Sequence, residues 1–350
     1  MVNRGVVSSF ALNGIQMPHQ ILDFTSHTAA VSEIDLFHQV RVKAPDSSRL
    51  TSEGTLGPKT DALQRRKQKY IRAGAWNVER CKYPGAVARK LEESGCDLGL
   101  LTEIDIGMAR SGNIDTIDEV ARTLGWWSAV SIEFIELGAG NQAECAQFAD
   151  EPNQQGLHGN AVVSRWPIID AWMVRPPASG IWVGLDWHSS RIGSRHALLC
   201  LIEIDGHQLC VAAVHVESES DPVARGVFID DVMNDRRLKE YSSAVVGGDL
   251  NSAGLPPPEG TPDTGWFTHP DEYEPSFASM RSAGFTWARS NIASATRRTL
   301  ASGWPKPPFR RDDWLLSKGL EPSDPVDYPA LNSAGFPVSD HELVTCRFAL

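Results

Sequence analysis

Short apolar segments with the composition of β-strands recur along the chain from residue 70 onward, and this repetition limits the fold more than any other feature. Apolar residues at helical spacing are rarer, and they predict helices only around residues 84–91, 114–124 and 222–241. Many strands with few helices favour sheets packed face to face, with the helices outside. The predicted strands span residues 71–76, 98–102, 128–135, 160–163, 168–174, 197–204, 208–214, 244–246, 314–316 and 342–348.

Polar residues stand where several of these strands end. Asn77 follows the first strand and Glu103 follows the next, with a predicted helix between them. A strand–helix–strand crossover makes the two strands parallel, so both residues are expected at one sheet edge. His215 and Asp249 end two later strands, and the start of an antiparallel strand lies beside such ends. The residues that we expect along this edge are Asn77, Glu103, His215, Asp249, Asn251, Asp313, Asp340 and His341.

Each of these residues has an ordinary structural role when it is considered alone. Asn77 can cap a turn, residues 248–251 have the composition of a turn, and a lone histidine after an apolar strand is usually structural. Carboxylates gathered at one edge, however, repel one another unless a cation binds between them. Oxygen ligands suit Mg²⁺ or Mn²⁺ better than zinc, so the shared position favours a site for such an ion.

The composition is that of an ordinary folded protein, with 41% hydrophobic and 22% charged residues in a chain of 350. It excludes a largely disordered chain, a collagen-like chain and a disulfide scaffold. With 33 Lys and Arg against 44 Asp and Glu, the net charge of −11 does not favour non-specific binding of nucleic acid. The sequence has neither a run of 18 apolar residues nor the pattern of a secretory signal, and it predicts a cytoplasmic protein without a membrane span.

The six cysteines show neither a CxxC motif nor metal-ligand spacing. Cys200 and Cys210 flank a turn signal at Asp205 and Gly206. A two-residue hairpin there places Cys210 opposite residue 201 and Cys200 opposite residue 211. Neighbours on one strand point to opposite faces of a sheet, so the two thiols are predicted to stay unbonded and reduced.

The chain divides into an N-terminal extension of unknown role, residues 1–68, and a main domain, residues 69–350. Within the extension, residues 31–42 are predicted to form one or two strands, and residues 44–60 have the composition of a linker. The basic run at residues 64–69 is interpreted as a solvated surface.

Eight segments, in order along residues 71–349, resemble those of the endonuclease/exonuclease/phosphatase superfamily. They are AWNVER, LLTEID, HGNAVVSRWPI, SRHALL, AAVHVES, GGDLN, RRDDWLL and SDHELV. The superfamily includes pancreatic-type deoxyribonuclease, apurinic endonucleases, sphingomyelinases and inositol polyphosphate 5-phosphatases. The resemblance implies an α/β fold, namely a four-layer α/β sandwich of two packed mixed β-sheets with helices outside.

The resemblance also implies roles for particular residues and a Mg²⁺ or Mn²⁺ cofactor. The implied metal ligands are Glu103, Asn77 and Asp340. The implied catalytic residues are Asp249, Asn251, His341, His215 and Asp313, and the implied substrate-binding residues are Arg195, His158 and Asn160. The chain departs from the family pattern at His158, where relatives often carry other polar residues. It also offers two adjacent aspartates, of which Asp313 fits the family pattern better than Asp312.

These roles predict a metal-dependent hydrolase of a phosphomonoester or phosphodiester. Asp249 would activate an in-line water, and the metal, His215 and His341 would stabilise the phosphoryl group. The alternatives are a nuclease acting on DNA or RNA, a hydrolase of a non-phosphate small molecule, and a non-catalytic binding module. Three loops, residues 138–155, 176–193 and 252–275, lack clusters of Lys and Arg, which favours a small phosphorylated or ester-type substrate over nucleic acid. The oligomeric state is left open.

Overall fold

The computed structural model describes residues 37–46, 69–177, 182–184, 190–252, 254–257, 265–297 and 309–350. Within this part of the chain, the strands form two mixed sheets of nine and five strands. Strands and helices are numbered in chain order below.

The larger sheet carries the N-terminal and C-terminal strands of the described chain. Its order is β13–β14–β2–β3–β5–β4–β8–β7, and β1 pairs with β4 beside that path. β2 and β3 run parallel, as their helical crossover predicts, and the other pairs are antiparallel. The strands are β1 (Val40–Lys43), β2 (Tyr70–Arg80), β3 (Leu98–Ile106), β4 (Trp127–Glu136), β5 (Leu157–Ser164), β7 (Trp182–Gly184), β8 (Arg191–Gly193), β13 (Glu321–Tyr328) and β14 (Leu343–Ala349).

The smaller sheet has the order β12–β11–β10–β9–β6, with β10 and β11 parallel. Its strands are β6 (Ile168–Val174), β9 (Ala197–Ile204), β10 (His207–His215), β11 (Ala244–Asp249) and β12 (Asp313–Lys318). The helices are α1 (Pro84–Glu93), α2 (Thr116–Leu124), α3 (Gln142–Gln147), α4 (Pro222–Met233), α5 (Arg236–Glu240), α6 (Gly265–Thr268) and α7 (Ser276–Ser282).

Three apolar clusters separate the layers. Between the sheets, Ala75 of β2 and Val211 of β10 belong to one buried cluster. A second cluster joins the outer face of the larger sheet to α1 and α2, for example through Leu91. The third joins the outer face of the smaller sheet to α4 and α7, for example through Phe277. The order helix, sheet, sheet, helix confirms the predicted four-layer α/β sandwich.

Small residues let the two sheets approach closely beneath the polar edge. Gly247 of β11 lies where a Cβ atom would come within 3.0 Å of the Ala75 Cβ and 2.8 Å of a Leu315 methyl group. A larger residue at this position would push the sheets apart. The close approach brings the end of β11 to the same place as Asn77 of β2.

Several predicted boundaries were wrong. The helix expected at residues 222–241 is two helices, because Asn234 ends α4 and the Asp235 side chain accepts a hydrogen bond from Leu238 N to begin α5. α2 begins at Thr116, capped by Asp115, and not at residue 114. β13 was not predicted, because its sequence, EPSDPVDY, contains two prolines; it lies at the edge of its sheet, where proline is tolerated.

The predicted hairpin register was correct. Cys210 pairs with Leu201 and Cys200 with Val211, and all six cysteines are free. In the N-terminal extension, β1 joins the larger sheet and Phe37 is buried, whereas most of the predicted linker and nearly all of the basic run lie outside the described residues. Among the helices that the structure describes, none has the length and apolar character of a membrane span.

Candidate active site

The carboxyl ends of β10 and β11 meet the start of β12 at one edge of the smaller sheet. His215 ends β10 and lies beside Asp249, which ends the parallel strand β11. On its other side, Asp249 pairs in register with Asp313, the first residue of β12. The backbone ladder therefore places these three residues next to one another, as their positions at strand ends predict.

In the larger sheet, β2 and β3 both continue beyond Asn77 and Glu103, and these two residues lie at β-bulges. The register shifts between Asn77 and Arg80 in β2, and between Leu101 and Ile104 in β3. Glu103 has a φ of 57°, a left-handed conformation that costs a non-glycine residue about 1–3 kcal/mol. Such bulges re-aim side chains and are frequent next to active sites.

The side-chain amide of Asn77 joins the two sheets. Its Nδ2 donates to Glu103 Oε1 and to Asp249 Oδ2, at 3.0 Å each. Its Oδ1 accepts a hydrogen bond from the backbone N–H of Glu79 at 3.0 Å, which fixes the orientation of the amide. The polar residues of the two sheets therefore form one connected group.

Asp249 is buried at the centre of this group. Its Oδ1 accepts a hydrogen bond from Asn251 N at 2.9 Å, and its Oδ2 lies 3.5 Å from His215 Nε2 and 3.8 Å from His341 Nε2. Burial alone would raise the pKa of Asp249, but His341 and His215 outweigh burial and lower it. The carboxylate is therefore ionised at neutral pH.

His341 is held as a cation by the carboxylates around it. Its Nδ1 lies 2.8 Å from Asp313 Oδ2, which also accepts a hydrogen bond from Thr296 Oγ1 at 2.8 Å. Burial would lower the pKa of His341, but Asp313, Asp340 and Asp249 outweigh it and hold the pKa well above its usual value. Its Nε2–H is left facing Asp249.

His215 is held in the opposite state by an arginine. Its Nδ1 lies 2.8 Å from Arg195 Nη1, and a guanidinium has only donors, so Nδ1 must be an unprotonated acceptor. Burial and Arg195 lower the pKa of His215, despite the nearby Asp249. His215 is therefore neutral, with its proton on the Nε2 that faces Asp249.

Two of the residues predicted to bind substrate lie in a buried network behind His215. Arg195 Nη1 lies 2.8 Å from Glu133 Oε2, and its Nε lies 3.4 Å from Glu217 Oε2. Asn160 Nδ2 donates to the other oxygen of Glu133 at 2.9 Å. The sequence analysis missed Glu133, although an acidic residue in the apolar strand β4 was the available signal.

The third of these residues, His158, lies in a separate buried ion-pair network. Its Nδ1 is 2.8 Å from Asp105 Oδ1, and Arg110 holds the same carboxylate with two hydrogen bonds of 2.7 and 2.9 Å. The structure places Arg195, His158 and Asn160 in buried networks of hydrogen bonds and ion pairs. Their substrate-binding roles therefore stay predictions.

The two carboxylates at the flanks of the site are each paired with an arginine. Glu103 Oε2 lies 3.1 Å from Arg80 Nη1, and Asp340 Oδ2 accepts hydrogen bonds from Arg297 Nε and Nη2 at 3.0 and 2.7 Å. Burial would raise the pKa of Glu103, but Arg80 and the nearby histidines hold it well below its usual value. Neither arginine was singled out from the sequence.

The donor atoms of the site suit a hard divalent cation. Asp249, Asp313 and His341 each offer an atom within 4.8 Å of the others, and Asp313 Oδ1 is buried without a hydrogen-bond partner in the described chain. His341 as a cation has no lone pair to offer, so the carboxylate oxygens are the fitting ligands. Oxygen donors of this kind match Mg²⁺ or Mn²⁺.

The sequence model of the endonuclease/exonuclease/phosphatase family matches residues 74–341, a span that contains every residue of this site. The chain belongs to that family. Its members are in general hydrolytic phosphoesterases and nucleases that depend on divalent metals, and the oxygen-rich site fits that chemistry.

Solved structures of endonuclease/exonuclease/phosphatase proteins share the fold at low identity. One from Beutenbergia cavernae is 16% identical, with 81% of this chain and 72% of that chain covered and a TM-score of 0.55. One from Bacteroides vulgatus is 12% identical, with 81% and 100% covered and a TM-score of 0.54. The catalytic domain of human nocturnin, solved with a bound sulfate anion, is 16% identical, with 81% and 94% covered and a TM-score of 0.51. Among curated protein sequences, none matches the chain.

The two adjacent aspartates of this endonuclease/exonuclease/phosphatase protein have different surroundings. Asp313 contacts His341, whereas both carboxylate oxygens of Asp312 are buried without a hydrogen-bond partner in the described chain. Burial and the charge of Asp249 raise the pKa of Asp312 to about 6. The choice of Asp313 over Asp312 as the catalytic residue stays a prediction, which the contact with His341 supports.

Proposed function

We propose that the protein is a divalent-metal-dependent phosphoesterase that hydrolyses a compact phosphate ester with an activated water. The observation that carries the proposal is the setting of Asp249, an ionised carboxylate that faces one cationic histidine, His341, and one neutral histidine, His215. A binding module would have no need of a buried base between two proton donors.

Asp249 is the base for the attacking water. Asn77 and Asn251 donate hydrogen bonds to its two oxygens, which fixes the plane of the carboxylate. A water that donates to the remaining lone pair of Oδ2 is then oriented toward the phosphorus and loses its proton to Asp249. General-base catalysis of this kind contributes about 10²–10⁴ to the rate.

The two histidines stabilise the phosphoryl oxygens as charge develops on them. His341 donates from its charged Nε2–H, and Asp313 fixes the ring from behind. His215 donates from its neutral Nε2–H, and Arg195 fixes that ring. Donors that are already oriented cost little reorganisation when the transition state forms.

Glu103, Asn77 and Asp340 would hold the divalent ion, Mg²⁺ or Mn²⁺. When bound, the ion supplies positive charge to the phosphoryl oxygens and orients the ester. The catalytic unit of this proposal is residues 69–350, with residues 1–68 as an extension, and the six free cysteines agree with a cytoplasmic location.

A compact substrate is favoured over a long nucleic acid by the charges around the site. Glu79, Glu144 and Glu217 lie at its margin, and Lys82 there is paired with Glu79 and Glu144. A surface that tracks several phosphates would need a row of lysines and arginines in place of these carboxylates.

A substrate panel tests this function. The full chain is assayed with p-nitrophenyl phosphate, bis(p-nitrophenyl) phosphate, short nucleotides, supercoiled plasmid and carboxylic esters, each with Mg²⁺, with Mn²⁺ and after chelation. We expect metal-dependent turnover of small phosphate esters and a loss of about 10²–10⁴ in the rate for Asp249→Asn. Asp230→Asn, which changes a carboxylate on α4, is the matched control and should keep full activity.

Full turnover after exhaustive chelation, or near-normal turnover by Asp249→Asn, would contradict the proposal. Plasmid cleavage that falls steeply between low and moderate salt would replace it with a nuclease function. Turnover of carboxylic esters alone would show a non-phosphate substrate.

A further inference from the structure

We propose that Arg80 and Arg297 select a phosphoryl group that carries two negative charges, so that the substrate is a phosphomonoester and not a diester. This inference rests on the proposed function and names the substrate class of the same site. The two residues are called the arginine pair below.

The arginine pair brackets the site. The contacts of the centre run in the order Glu103, Asn77, Asp249, His341 and Asp340. Arg80 holds the Glu103 end and Arg297 holds the Asp340 end. Their side chains are 24% and 22% exposed, whereas those of His341 and Asp249 are 3% and 2% exposed, so the arginines reach the solvent side of the site.

Backbone strain points to a specific role for Arg80. Glu79, Arg80 and Cys81 have φ values of 43°, 67° and 52°, three consecutive left-handed residues without a glycine. Strain of this kind persists where the surrounding structure requires it, and it concentrates at functional sites. The strained bulge ends β2 and places the Arg80 guanidinium beside Glu103.

A charge count shows why the arginines are needed. Glu103, Asp249 and Asp340 bring three negative charges. Glu144 Oε1, 3.1 Å from Arg80 Nε, brings a fourth. One divalent ion would offset only two of these charges, so the remainder would repel any phosphate. The arginine pair adds two positive charges beside the carboxylates and reduces this repulsion.

The number of phosphoryl oxygens favours the monoester. A phosphomonoester has three non-bridging oxygens that share two charges, whereas a diester has two that share one. A bound divalent ion and the two histidine Nε2–H groups would together provide partners for the two oxygens of a diester. A guanidinium presents five donors in a planar fork that matches phosphate oxygens. The pairing of Arg297 with Asp340 uses only two nitrogens of that fork, Nε and Nη2.

Other cations near the centre are committed elsewhere. Arg195 is buried between Glu133, Glu217 and His215, and its side chain is only 7% exposed. Lys82 is paired with Glu79 and Glu144. Arg80 shares Glu144 with it, but Arg80 also contacts Glu103 of the centre, as Lys82 does not among the ion pairs of the described residues. Among the described residues, Arg80 and Arg297 are therefore the cations that combine exposure with contact to the site.

Calorimetry with two small anions tests the inference on the full chain with saturating Mg²⁺ at pH 8. The probes are inorganic phosphate, a dianion at this pH, and dimethyl phosphate, a monoanion. We expect the wild type to bind phosphate at least about 10-fold more tightly than dimethyl phosphate. Arg80→Gln and Arg297→Gln should each weaken phosphate binding about 10-fold and change dimethyl phosphate binding little, since a charged hydrogen bond is worth about that much.

Three further variants control the measurement. Arg289→Gln removes an exposed arginine that pairs with Glu321, at the far end of the larger sheet, and should leave both affinities unchanged. Arg80→Lys and Arg297→Lys keep the charge but lose the planar fork, so they should bind phosphate with intermediate affinity. They also keep the test valid if a glutamine variant fails to fold, which thermal melts report.

The inference is overturned if the glutamine variants bind phosphate like the wild type, or if both anions lose affinity equally. A separate assay of mononitrophenyl and bis-nitrophenyl phosphate keeps the two proposals apart. Phosphate binding that depends on the arginines, without turnover of any ester, would contradict the phosphoesterase function and leave the arginine assignment standing. Turnover of diesters in preference to monoesters would contradict the assignment and leave the function standing.

Discussion

At the scale of single residues, the site gives different protonation states to two histidines, His341 and His215, that look equivalent in the sequence. Both were expected near Asp249, and the sequence analysis gave both the same role toward the phosphoryl group. The partner of Nδ1 decides the difference: a carboxylate, Asp313, keeps His341 charged, whereas a guanidinium, Arg195, keeps His215 neutral. Asp313 comes from the start of β12 and Arg195 from the segment between β8 and β9, both far from their histidines in sequence, so no spacing in the sequence indicates them.

The unit formed by His341 and Asp313 is tested with a double mutant. His341→Ala should remove most turnover, because it removes the charged donor to the phosphoryl oxygens. If Asp313 acts only through His341, Asp313→Ala/His341→Ala should be little worse than His341→Ala alone. The measurement is kcat/KM for both single variants and the double variant, with thermal melts as the folding control. Losses that multiply would give Asp313 an independent role, such as metal binding.

The role of Arg195 in keeping His215 neutral is tested by replacing the arginine. In Arg195→Met, His215 loses the donor that keeps its Nδ1 unprotonated, so its tautomer should become mixed and its pKa should rise. Nitrogen NMR of labelled histidine should show a single Nε2–H tautomer in the wild type and a mixture in the variant. Arg195→Lys, which retains a donor, should keep more of the wild-type tautomer. An unchanged spectrum in Arg195→Met would show that the arginine does not set the state of His215.

At the scale of secondary structure, the strand ends in the smaller sheet were predicted better than those in the larger sheet. His215 and Asp249 end their strands, and Asp313 begins one, as the change from apolar to polar residues indicates. β2 and β3 instead continue past Asn77 and Glu103 through bulges. A bulge depends on what the neighbouring strands and the opposite sheet require, and a local sequence pattern does not contain that information.

The hairpin of β9 and β10 supports a prediction about the thiols. Cys200 belongs to the cluster between the sheets and Cys210 to the cluster under the helices, so the two lie on opposite faces of the smaller sheet. Alkylation of the denatured, unreduced protein should add six adducts, seen by mass spectrometry. A peptide that is two hydrogens lighter and links residues 200 and 210 would contradict the register.

At the scale of the whole molecule, the two close-packed sheets bury much of the polar network that the site needs. Asp105, Glu133 and Asp313 are fully buried, and each is held by an arginine or a histidine. The fold class followed from the number of strands and from the family resemblance, because both depend on features spread along the chain. The supporting ion pairs did not follow, because they join residues far apart in sequence, such as Arg195 and Glu133.

The buried His196 gives the whole fold a dependence on pH. Its Nε2 lies 2.6 Å from Ser131 Oγ, and its Nδ1 lies 3.3 Å from Arg175 Nη2, a donor that requires an unprotonated Nδ1. Burial and the Arg175 charge lower the pKa of His196 to about 3, although Glu133 opposes them. In the unfolded chain, histidine has a pKa of about 6.5. The unfolded state therefore binds an extra proton between these values, and stability falls as the pH falls through this range.

We therefore expect His196→Gln to lose less stability than the wild type between pH 6.5 and pH 4.5. When the free energy of unfolding is plotted against pH, the difference between the two slopes should approach about 1.4 kcal/mol per pH unit, the value for one proton. It is measured from urea unfolding in the presence of chelator, with His38→Gln, which changes an exposed histidine, as the control. His341 affects stability in a different pH range. Because its pKa is raised in the folded protein, the stability that it contributes is present below pH 6.5 and is lost as the pH rises. Parallel pH profiles for the wild type and His196→Gln would show that His196 can take up a proton in the folded protein, and that the hydrogen bond from Arg175 does not hold it neutral.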